Sequence, residues 1–81
     1  MSAYDFTKLE KFLKRLGCSR CSLLLLVELA EGVQKRMTRH AFLNSKATKL
    51  PRRAGIIRQK RDGRLDLTRK GWSLIKIPEG T

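Results

Sequence analysis

In the first third of the chain, apolar residues recur at helical spacing. Phe6, Leu9, Phe12, Leu13 and Leu16 fall on one stripe, while Lys8, Lys11, Lys14 and Arg15 lie off it. This pattern predicts a helix over residues 3–16. Ser2 reads as its N-cap, with Asp5 three positions on in a variant of the capping box, and Gly17 as the residue that ends it. The stripe needs a cover. The rest of the domain can supply one, or a second copy of the helix can, which would make Phe6, Leu9, Phe12, Leu13 and Leu16 a homodimer contact.

Residues 22–32 follow as Ser-Leu-Leu-Leu-Leu-Val-Glu-Leu-Ala-Glu-Gly. Five apolar residues in a row fit a buried strand by pattern alone. Four of them are leucines, which favour helix, and Ser22 and Gly32 stand where caps belong. The expectation is a helix buried on most sides, at the centre of the core. From Val33 the texture turns polar and basic. Thr38 can cap a brief helix through Phe42 and Leu43, Asn44-Ser45 makes a turn, and Ser45 can cap a second short helix to about Arg53. Pro51 conflicts with a continuous helix there, because a proline in the interior costs about 3 kcal/mol. Either the helix ends near Leu50, or it restarts with Pro51 in a first turn, where proline is tolerated.

The final third contains a hairpin. Residues 56–68 form two runs around Asp62-Gly63, a strong turn signal. A two-residue loop would put Ile57 on the opposite face from Leu65 and Leu67. A three-residue loop, Arg61-Asp62-Gly63, pairs Ile57 with Leu67 and Gln59 with Leu65 and brings all three apolar side chains to one face. A one-residue slip would expose an apolar set, so the three-residue loop with a left-handed Gly63 is expected. Thr68 then caps a last helix from Arg69 to about Lys76, returning Trp72 and Ile75 to the core, and Pro78 ends it.

Charge changes this picture more than length does. The chain has 81 residues, enough for one small domain, and a formal net charge of +12. Residues 1–32 carry net +1, residues 33–70 net +11, and the tail from Gly71 net zero. Such crowding costs self-repulsion, which a polyanionic partner would offset. The longest apolar run has five residues, against about 20 for a membrane span. No secretory signal is visible near the start, and two cysteines make no disulfide framework. The expectation is a cytoplasmic, nucleoid-associated protein without a membrane partner.

The Leu-rich helix, the two short helices, Ala54-Gly55-Ile56-Ile57-Arg58, the hairpin with Asp62-Gly63-Arg64, and Leu67-Thr68-Arg69-Lys70-Gly71 together resemble the winged helix-turn-helix of bacterial and archaeal transcription regulators. The resemblance covers about residues 20–76. The segment between Gly32 and Gly55, 22 residues, is shortened relative to such regulators. The implied fold is α+β and mostly helical: a three-helix core with a C-terminal two-stranded wing, flanked by an N-terminal helix (1–17) and a short C-terminal helix, with 77–81 as a tail. The implied function is sequence-specific binding of double-stranded DNA by a small transcriptional regulator, a repressor by preference. The small size suggests a viral or mobile-element source.

The resemblance places Thr38–Leu43 in the supporting helix, Ser45–Arg53 in the recognition helix and Lys60–Arg64 at the wing tip. Lys46, Lys49, Arg52 and Arg53 would then offer cations to the groove, with Thr48 and Asn44 as polar donors. Arg39 and His40 would meet phosphates, and Arg58, Lys60, Arg61 and Arg64 would reach the backbone or minor groove. An RNA-binding or ribosome-associated protein on the same scaffold is the second reading, and a module for an acidic protein partner the third. Cys18-Ser-Arg-Cys21 has the spacing of half a zinc site, but the chain lacks a second pair, so half-buried packing is the expected role. His40 has no nucleophile near it in sequence. No enzyme, cofactor or metal is expected.

Overall fold

The computed structural model describes residues 4–75. Ser2, Lys76 and Pro78, the expected ends of the first and last helices, lie outside the described residues. Five helices and one two-stranded antiparallel sheet give the expected α+β arrangement.

Helix α1 (Thr7–Arg15) begins later than the stripe suggests. The Asp5 carboxylate accepts from the Thr7 backbone N–H at 2.9 Å and from Thr7 Oγ1 at 2.6 Å. This local turn competes with helix at residues 4–6. Leu9 and Leu13 are buried by the same chain, and Phe6, Phe12 and Leu16 are half-buried. The centre of the stripe is thus covered within one molecule. Tyr4 lies between Phe6 and Trp72, with ring centroids 6.0 and 6.2 Å away, so the entry to α1 packs on the last helix.

Helix α2 (Arg20–Ala30) starts two residues before Ser22, after an extended Ser19. Ser22 is therefore no cap. Its side chain is fully buried and donates to the Ala47 carbonyl at 2.9 Å. Leu25, Leu26 and Ala30 face the core, but Leu24 is 55% exposed. The expected burial on most sides fails for a geometric reason: a helix turns about 100° per residue, so four successive leucines point all round it, and the core occupies one side.

Helix α3 (Arg39–Asn44) has the expected cap, with Thr38 Oγ1 accepting from the Ala41 N–H at 3.1 Å. The next helix does not run from Ser45. Ser45 opens a turn in which its Oγ accepts from Ala47 N–H and its carbonyl from Lys49 N–H. Helix α4 (Lys49–Arg53) follows with Pro51 buried in its first turn. There a missing N–H leaves no helical bond unmade, so the restart is the arrangement adopted.

Strands β1 (Ile57–Gln59) and β2 (Leu65–Leu67) pair Ile57 with Leu67, Arg58 with Asp66 and Gln59 with Leu65. This is the register of the three-residue loop, and Gly63 at its end has φ +91°. An added edge was not anticipated. Leu65 N–H donates to the Lys35 carbonyl and Met37 N–H to the Gly63 carbonyl, with Arg36 opposite Arg64. Gln59 Nε2 donates to the Met37 carbonyl at 2.7 Å. Residues 35–37 thereby fix the hairpin to the start of α3.

Helix α5 (Arg69–Ser73) is capped by Thr68, whose Oγ1 accepts from Gly71 N–H at 3.1 Å and donates to the Gly55 carbonyl at 2.6 Å. It ends before Lys76: Leu74 and Ile75 bond to carbonyls three residues back, the tight last turn common at helix ends. Ile75 is buried and Trp72 half-buried. Gly71 packs so closely on the hairpin that a Cβ there would collide with the Ile56 carbonyl oxygen. The resulting core joins Leu9, Leu13, Leu25, Leu26 and Ala30 to Phe42, Ile56, Ile57, Leu65, Leu67, Leu74 and Ile75. Among the described residues, no helix is long and apolar enough to cross a membrane.

Candidate nucleic-acid interface

Six of the basic side chains line two depressions, one at the start of α3 and one formed by the chain beyond its end. At its start, Arg39 shares a cleft with Lys60, Arg61, Asp62 and Gly63 of the hairpin tip, which Met37, Thr38 and Gln59 also line. The tip is held there by the Met37–Gly63 backbone bond and the Gln59 amide. Beyond its end, Lys46, Lys49 and Arg53 line a second depression with Ser19 and Leu50. The bond from Ser22 to Ala47 ties that turn to α2. From Arg39 to Asn44, the first and last residues of α3, the helix rises about 7.5 Å.

These cations differ in how far they are committed. Arg39 lies over the Phe42 ring, 5.8 Å from its centroid. Lys46, Lys49, Arg53, Lys60 and Arg61 are exposed, and none pairs with a described acid. Arg64 is held by Asp62 at 2.6 Å and Arg58 by Asp66 at 3.3 Å. Arg58 follows a residue facing the core and precedes Gln59, which points to Met37. By strand alternation it projects from the other side of the ribbon, away from the cleft. The Arg64 N–H donated to Asp62 keeps that carboxyl below the usual carboxylate range, aided by the Arg64 guanidinium and by Arg36.

Two of the expected groove-facing side chains are turned inward. Thr48 is fully buried and its hydroxyl donates to the Phe42 carbonyl at 2.6 Å. It knits the turn together and cannot be a surface donor. Arg52 is half-buried, with its Nε shielded and without a hydrogen-bond partner. Asn44 and His40 are exposed, but the Asn44 amide donates back to the His40 carbonyl at 2.8 Å. Arg36 was missed by sequence reasoning. It is exposed, stands across from Arg64 and acts on Asp62, so it adds a cation to the hairpin base. The sequence carries no signal for it, since Val33-Gln34-Lys35-Arg36-Met37 shows no apolar alternation.

Cys18 is half-buried, as packing at the helix junction requires, and burial pushes its thiol up despite a hydrogen bond from Ser22. Cys21 is exposed. No group of three or more metal-ligating side chains comes together among the described residues. The arrangement therefore offers exposed positive charge at two points on either side of a short helix. In comparisons with known proteins, the chain has no significant match to a protein-family model, a curated protein or a solved structure.

Proposed function

We propose that this chain binds double-stranded DNA, with the hairpin tip and the α3–α4 turn gripping the phosphate backbone in the manner of a winged helix-turn-helix. The observation that carries the reading is the pair of cationic groups at the two ends of α3. A rise of about 7.5 Å along α3, with the reach of Lys and Arg side chains beyond each end, supports a span comparable to the roughly 12 Å width of the major groove. The order of elements, with residues 35–37 bonded to the hairpin between α2 and α3, supports the same resemblance.

A duplex is favoured over unpaired RNA by the aromatic side chains. Recognition of single-stranded RNA stacks bases on exposed rings. The basic region has Phe42 alone, which is 2% exposed, and Trp72 is half-buried beside Tyr4.

The test is duplex affinity as a function of salt. The expected log–log slope is roughly −0.9 for each phosphate neutralised, so five engaged cations give about −4 to −5. Changing Lys60 and Arg61 together to Ala should make the slope shallower by about 2. The same loss of charge at Lys8 and Lys11, exposed on α1, should leave it nearly unchanged. A slope near zero, or equal effects of both pairs, would rule the reading out.

A further inference from the structure

We infer that the chain recognises duplex DNA as a class, without a fixed base sequence; this rests on the reading above and deepens it. Direct discrimination of bases uses Arg or Lys on guanine most often, and reading adenine or thymine needs neutral groups beside them, Asn or Gln on adenine and Ser or Thr more loosely. Between Met37 and Thr68 every such neutral side chain is already engaged with backbone. Thr38 caps α3. The Asn44 amide returns to the His40 carbonyl. Ser45 accepts within its own turn. Thr48 is buried on the Phe42 carbonyl. The Gln59 amide bridges the Met37 and Gly63 carbonyls. Thr68 joins Gly71 to Gly55.

What is left exposed on these two depressions is positive charge on long stems: Lys46, Lys49 and Arg53 on one, Lys60 and Arg61 on the other. A phosphate presents the same group whatever the sequence, and these side chains meet it equally on any duplex. The helix that would enter the groove, α4, has five residues, of which Pro51 is buried and Leu50 and Arg52 half-buried. Lys49 and Arg53, one turn apart, are left to face outward. Recognition by such a surface follows charge density and groove shape.

The experiment is selection from a pool of random duplexes by the full chain at fixed salt, followed by affinities for individual duplexes. The expected result is no enriched motif and affinities within about threefold across unrelated sequences of equal length. Asn44→Ala, which removes an exposed amide and leaves the core intact, should change every affinity by less than about twofold. An enriched motif bound more than about tenfold better than random duplex would overturn the inference and leave duplex binding standing, since site-specific proteins separate the two by roughly a thousandfold or more. A loss from Asn44→Ala confined to one sequence would also overturn it. Absence of affinity for any duplex at low salt would remove the function proposed above and this inference with it.

Discussion

The first two helices and the stretch that follows them contribute comparable numbers of core residues and very different amounts of charge. Residues 1–32, with net charge +1, bury Leu9, Leu13, Leu25, Leu26 and Ala30. Residues 33–70, with net charge +11, bury Phe42, Ile56, Ile57, Leu65 and Leu67. The second region holds its shape with few ion pairs. Its hydroxyls and amides bond to backbone at Thr38, Thr48, Gln59 and Thr68. Neutral groups fix the chain, and most of the cations stay in water. Stability and polyanion affinity should therefore be separable by mutation.

The largest expected effect falls on the core that both regions share. Leu26→Ala empties a fully buried site and should cost about 2–5 kcal/mol in chemical denaturation, with duplex affinity of the folded fraction unchanged. Gly71→Ala strikes the joint between α5 and the hairpin. The collision with the Ile56 carbonyl should cost about 1–3 kcal/mol, lowering Tm by several degrees in a domain this small. Gly63→Val places a β-branched residue at φ +91° and its Cβ against the Met37 carbonyl. It should cost about 1–2 kcal/mol and weaken duplex binding as well, because the tip carries Lys60 and Arg61.

Asp62 sharpens the comparison through pH. Its carboxyl titrates lower in the folded protein than in the unfolded chain, so its stabilising contribution is present above the unfolded value of 3.8 and is lost as pH falls through the folded one. The Arg64 amide resonance should follow that titration with a midpoint below 3.8, and Asp62→Asn should abolish the transition. The smallest expected stability change comes from Lys60→Ala with Arg61→Ala. Stability should stay within about 0.5 kcal/mol while the salt dependence of binding falls, reversing the outcome for Leu26→Ala.

The hairpin was legible because two constraints coincide there: one turn signal and three apolar residues that must share a face. Thr38 and Thr68 were legible as caps for a similar reason, since each sits just before a short helix with nothing competing for its hydroxyl. Ser22 and Thr48 were not. Nothing in sequence distinguishes a hydroxyl that caps its own helix or faces a groove from one that bonds to a carbonyl brought near by folding. Helix α4 was half legible: Pro51 limits where it can start, but the start itself depends on the Ser45 turn. Residues 35–37 escaped notice because three residues with two charges show no alternation, and their pairing depends on a partner 28 residues further on.

The ribbon also has a bearing on how copies tolerate crowding. Each of its strands is only three residues long, and its margins carry Arg36 on one side and Arg58 on the other. Short, positively charged margins are poor templates for edge-to-edge growth. Many molecules lined up on one polyanion should remain discrete units, released intact when the polymer is digested or the salt is raised.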